Sequence, residues 1–168
     1  MVPAFMLSLL KRQQLMLAER FIARYPSCWL VWAPGSWKPP HTTAESDAGK
    51  TQLPDEAHDL RPRGSDALCF QLYLTRGAEE GQFTLGRGSD RDIVVNDMTV
   101  SRDHLRLHFT KGVWSAEAVA APGASTRLGS RALAAGEKQP LAPGSPVTVG
   151  GVTLTFYDPD GFLKRLTA

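Results

Sequence analysis

Long apolar runs are missing from this chain. None approaches the ~20 residues that a helix needs to cross a bilayer, so no membrane contact is expected and the reading is a soluble, cytoplasmic protein. Charge of one sign is missing too: 19 basic residues stand against 17 acidic ones. That balance lacks the basic stripe that nucleic-acid binding exploits, and nucleic acid is not expected as a partner. Cysteine is scarce. Cys28 and Cys69 lie far apart, with no CxxC spacing and no flanking His clusters, so neither a metal site nor a disulfide framework is indicated. No cofactor is implied, and both cysteines read as buried free thiols of a reducing compartment. A secretion signal is not expected either, because Lys11 and Arg12 follow the apolar block at Phe5, Met6, Leu7, Leu9 and Leu10 instead of preceding it. Catalytic signatures are equally sparse. Ser101 has no Gly-x-Ser-x-Gly context, Asp103 and His104 are neighbours on a strand and so face opposite ways, and no glycine-rich loop opens a helix. An enzyme is therefore not expected.

What the chain does contain suits one domain and an extension. It has 168 residues, 42% hydrophobic and 21% charged, within the globular range. Pro3 to Arg24 has no internal proline or glycine and repeats apolar residues at Met6, Leu10, Leu17 and Phe21, which predicts one amphipathic helix ended by Pro26. Three of the four tryptophans follow within nine positions, at Trp29, Trp32 and Trp37. Such a cluster either docks against the rest of the fold or forms a second contact surface for another protein. Lys38 to Ser65 is rich in Pro, Thr, Ser, Asp, Glu and Gly and reads as a flexible linker. The organisation expected is a helix plus tryptophan segment over 1–37, a linker over 38–65, a β-sandwich over 66–158 and a tail over 159–168.

Beyond the linker the period changes to two. Leu68, Phe70, Leu72 and Leu74 alternate with Cys69, Gln71 and Tyr73, placing one row on a core face. Short apolar runs follow at Phe83–Leu85, Ile93–Val95, Leu105–Phe109, Val113–Val119, Val147–Val149 and Val152–Phe156, separated by Gly, Pro, Asn or Asp. Short strands with turn signals at close intervals predict an all-β sandwich carrying the N-terminal helical extension. Asp158-Pro159-Asp160-Gly161 reads as a turn, with Phe162, Leu163 and Leu166 forming a final helical turn packed back on the sandwich.

Within the β region, Gly86-Arg87 closes one strand and Ser101-Arg102-Asp103-His104 opens another 14 positions later. Trp114 follows Lys111-Gly112, then come Ala124-Ser125-Thr126, Leu141-Ala142-Pro143-Gly144 and Val147-Thr148-Val149-Gly150. In order and spacing this resembles the forkhead-associated (FHA) domain, whose pattern is Gly-Arg, Ser-Arg-x-His, a strand with an aromatic, Asn-Gly-Thr, and Leu-x-x-Gly before an apolar strand. The resemblance covers about 90 residues and implies an FHA-like sandwich.

It also implies a phosphate-reading site. A phosphate dianion needs several converging donors; arginine supplies a planar fork, and serine hydroxyls and loop amides complete the shell. By resemblance, Arg87, Ser101, Arg102, Ala124 and Ser125 line the phosphopeptide site, while Gly86, His104 and Thr126 support it. Two departures matter. Ala124 stands where the family has the asparagine that bonds the peptide backbone, and Gly129 replaces a later asparagine. Arg91, Arg127 and Arg131 are candidate compensating charges. The function expected is a non-enzymatic phosphothreonine-reading adaptor whose partner is a phosphorylated protein, such as a Ser/Thr kinase or its substrate. The alternative is a degenerate FHA fold that assembles with other proteins without phosphate, favoured by Ala124.

Overall fold

The computed structural model describes residues 1–33, 66–119 and 125–168. The stretch read as a linker, together with Trp37 and Ala124, lies outside the described residues. Strand β1 (Ala4–Met6) leads into α1 (Leu7–Leu17), and a 3-10 turn (Ala18–Arg20) joins it to α2 (Phe21–Arg24). The strands β2 (Cys28–Trp32), β3 (Leu68–Leu72), β4 (Glu80–Gly86), β5 (Ile93–Val94), β6 (Leu105–Thr110) and β7 (Val113–Ala118) follow. Then come β8 (Thr126–Leu128), β9 (Arg131–Ala132), β10 (Lys138–Pro140), β11 (Pro146–Val149), β12 (Val152–Tyr157) and the closing helix α3 (Pro159–Thr167).

Two sheets stack as a sandwich. One has the order β1-β3-β2-β12-β11-β8-β9 and the other β10-β7-β6-β4-β5; all pairs are antiparallel except β4 with β5. Between them lies the main core, built from inward residues such as Phe70, Leu85, Leu105, Val147, Leu154 and Phe156. Lys111 and Gly112 connect β6 to β7 with φ of 48° and 82°, the two-residue turn whose twist suits a hairpin.

A second core covers the outer face of the larger sheet. Leu7 and Leu10 of α1, Phe21 of α2 and Phe162 and Leu166 of α3 pack on Trp29, Val31 and Cys69. The Trp29 and Phe162 rings stack with centroids 4.4 Å apart. Sandwiched between two apolar layers, all five positions of β3 are buried, so Cys69 and Gln71 do not face solvent as simple alternation predicts. Gln71 is satisfied by Ser27, its Nε2 donating to Oγ at 3.0 Å. Burial pushes the Cys28 thiol up to about 11 and the Cys69 thiol up to about 12, and neither forms a disulfide.

Three expectations need correction. First, the sandwich does not start at residue 66: β2, from the tryptophan segment, sits inside the larger sheet between β3 and β12. Second, Trp29 and Trp32 are fully buried, one in each core layer, so neither belongs to an exposed second contact surface. Third, Pro3 to Arg24 is not one helix. Its first residues pair with the open edge of β3, whose unpaired backbone groups offer a template for another strand, and Ala18 turns into the left-handed region at φ 47°. That break swings Phe21 back onto the sheet, where it is 1% exposed. The tail forms a longer helix than a single turn. Asp158 accepts from Gly161 N at 2.9 Å as its N-cap, Pro159 occupies the first turn and Lys164 and Arg165 the last.

Candidate functional site

Several chain turns meet at one end of the sandwich, where β4 finishes, β6 and β8 begin and β11 turns into β12. The β4 end approaches the β6 entry so closely that backbone bonds join them: Arg87 N donates to Ser101 O at 2.9 Å and Gly88 N to Arg102 O at 3.2 Å. Gly86 makes this approach possible. A Cβ there would lie 2.2 Å from the Arg102 carbonyl oxygen, and no side chain fits.

That approach sets the Arg87 side chain beside Ser101. Nε of Arg87 donates to the Val100 carbonyl at 3.2 Å, which fixes the stem. Among the described residues neither Nη atom of Arg87 has a hydrogen-bond or ion-pair partner, and the side chain is exposed. The Ser101 hydroxyl and the exposed Arg102 guanidinium are equally without protein partners among the described residues. Arg91 differs. It is held by Asp90 at 2.6 Å and Asp103 at 3.4 Å, and the Asp90 carboxyl sits below its usual range because Arg91 bonds to it. Of Arg87, Arg91 and Arg102, therefore, the two without an acidic partner among the described residues are Arg87 and Arg102.

His104 organises the rim from beneath. Fully buried, it accepts from Ser101 N at Nδ1 (3.0 Å) and reaches the Ser125 carbonyl from Nε2 (3.0 Å). An acceptor at Nδ1 and a carbonyl at Nε2 require the neutral ring protonated on Nε2. Burial lowers its pKa from the ordinary value, partly offset by the bond to Ser125. One imidazole thus clamps the loop bearing Ser101 to the loop bearing Ser125. Both ring nitrogens of His104 are taken up by backbone groups of the fold.

Ser125 lies on the same rim, exposed, with Oγ 3.5 Å from the Gly150 carbonyl. Thr126 is buried, and its hydroxyl has no partner among the described residues. Sequence reasoning missed a second clamp. Asp97, 6% exposed, accepts from Thr99 N at 2.8 Å and from the Thr99 hydroxyl; Thr99 Oγ1 accepts in turn from Gly151 N at 2.7 Å. Gly150 completes it with φ 58°, and a Cβ there would lie 2.1 Å from the Thr99 carbonyl oxygen. The Asx-type spacing of Asp97 and Thr99 was the available signal. Arg131 on β9 is paired with Glu137 at 2.7 Å, whereas Arg127 on β8 donates to the Ser130 carbonyl at 2.7 Å, so of the compensating charges expected those of Arg91 and Arg131 meet a carboxylate and that of Arg127, among the described residues, does not.

Residues 75–160 match the family model described as the inner membrane component of T3SS, cytoplasmic domain, an FHA-type domain, and this is just over half of the chain. The chain belongs to that family. No curated protein sequence matches it. As expected of an FHA-type domain, it is similar in fold to solved FHA structures. The N-terminal FHA domain of S. cerevisiae Rad53p, solved in complex with a phosphothreonine peptide, superposes with a TM-score of 0.53 at 16% identity, covering 83% of this chain and 98% of that one. An engineered FHA domain with a Myc-pTBD peptide gives a TM-score of 0.52 at 15% identity, again covering 83% of this chain and 98% of that one. These likenesses establish the FHA fold. They leave its ligand to the residues of the rim.

Proposed function

We propose that this FHA-type domain is a non-enzymatic, cytoplasmic interaction module that reads phosphothreonine in a partner protein, such as a Ser/Thr kinase or its substrate. The observation that carries this reading is a stem-fixed Arg87 bonded through its backbone to Ser101, with the Arg87 Nη donors and the Ser101 hydroxyl both unused by the described residues. A planar fork and a hydroxyl held by rigid backbone form the kind of preorganised donor set that a phosphate dianion rewards. Arg102 adds charge, and Ser125 approaches from the facing loop. Each charge-assisted bond is worth about 1.5 to 3 kcal/mol, enough to separate a phosphorylated peptide from its unmodified form.

The second reading is a phosphate-independent assembly module. Ala124, in place of the family's asparagine, favours it, as does membership of a family described as a component of T3SS. Calorimetric titration with phosphorylated and unphosphorylated forms of one threonine peptide library separates the two. Binding confined to the phosphorylated form and lost in Arg87→Ala supports the first reading; equal binding of both forms, or binding that survives Arg87→Ala, leaves the second.

A further inference from the structure

The outward face of α1 has a composition unlike that of an ordinary surface helix. Leu7 and Leu10 point into the second core, and the opposite face presents Ser8, Leu9, Arg12, Leu15 and Met16 to solvent. Leu15 and Met16 are 78% and 82% exposed, and Leu9 is 43% exposed. A surface helix normally carries polar residues there. Cations are frequent in the same region, Arg24 lying over the Tyr25 ring at 5.6 Å. Lys11 and Arg12 lie on the helix itself, Arg20 and Arg24 follow it, and the exposed Lys164 belongs to α3, which packs against α1. Glu19 is the one acid between Met1 and Tyr25, and Asp66 is tied to Ser8 through its N–H and hydroxyl.

We propose that this face docks on an anionic membrane surface, with Leu9, Leu15 and Met16 entering the interfacial layer and Lys11, Arg12, Arg20 and Arg24 contacting lipid headgroup phosphates. Unbranched or γ-branched apolar side chains accompanied by lysine and arginine are the pattern of helices that lie in an interface, and each cation near an anionic leaflet adds attraction. A second copy of the chain fits the face poorly, because a two-fold contact of this surface with itself would set like charges against one another. The face lies on the outer side of the larger sheet, whereas Arg87 and Ser101 flank strands of the smaller one.

The test is flotation of the full chain with phosphatidylcholine vesicles, with and without phosphatidylglycerol. The chain is expected to float only with the anionic vesicles, and to detach as salt rises. Arg12→Ser should weaken partitioning about fivefold. The pair Leu15→Asp with Met16→Asp should abolish it while circular dichroism stays unchanged, since neither side chain enters a core. No flotation at low salt, or flotation undiminished by the double substitution, would overturn the proposal. So would a dimer, seen by light scattering without vesicles, that the same double substitution dissolves, for the face would then be a contact between copies.

Discussion

The rim and the helical layer hold the same sandwich by different means. At the rim, polar groups do the fixing: Gly86 and Gly150 let backbones touch, and His104, Asp97 and Thr99 clamp one loop to the next. In the layer outside the larger sheet the fixing is apolar, with Trp29, Phe21, Tyr25, Phe162 and Leu10 packed together. Hydrogen bonds set direction within tenths of an ångström, while burial supplies most of the stability without prescribing it. A site that must present donors at fixed positions belongs at the first kind of region, and the mass of the fold is better held by the second.

Substitutions can break this division. The largest effect is expected from Trp29→Ala, which removes a fully buried indole stacked on Phe162 and should cost about 3 to 5 kcal/mol in urea unfolding. Next comes Gly150→Ala. The residue sits at φ 58° against the Thr99 carbonyl, so a loss of about 1 to 3 kcal/mol is expected, with the accompanying backbone amide shifts confined to the rim loops. If both variants perturbed the whole molecule alike, the contrast between the regions would be lost.

Acid should act on the rim through His104. Its folded pKa is depressed by burial below the ordinary value of 6.5, so the unfolded chain takes up its proton first as pH falls. The stabilisation is complete above pH 6.5 and is lost as pH drops from there toward the depressed folded value. Thermal unfolding midpoints measured between pH 7.5 and 5 should decline, and His104→Gln should remove this component of the decline. Smaller still is the effect of Arg87→Ala on stability. The side chain is exposed and holds one bond to Val100, so unfolding should change by no more than about 0.5 kcal/mol, even though it removes the central donor of the proposed site.

How much could be read in the sequence follows the same division. The strands between Leu68 and Tyr157 alternate or carry turn residues, and Gly86-Arg87 with Ser101 to His104 stand at fixed spacing because backbone contact and imidazole clamping demand those residue types locally. The helical layer gives no comparable signal. Ala18 is a good helix former that tertiary packing nevertheless places at φ 47°, and the edge of β3 claims Ala4–Met6 for a strand where periodicity favoured a helix. Cys28–Trp32 lacks alternation because both of its faces are covered, so its place at the middle of the sheet, far in sequence from β3, was hidden. Asp97 and Thr99 were visible as residues but not as a clamp, since their role depends on Gly150 and Gly151, more than fifty positions away.

The central claim, that Arg87 and Ser101 together receive a phosphate, is tested most directly by amide and guanidinium NMR of the labelled full chain during titration with a phosphothreonine peptide and its threonine counterpart. The account predicts saturating shifts at Arg87, Ser101, Arg102 and Ser125 with the phosphorylated peptide alone, and none at Arg127 or Arg131. Identical shifts with both peptides, or shifts that leave Arg87 and Ser101 untouched, would contradict it.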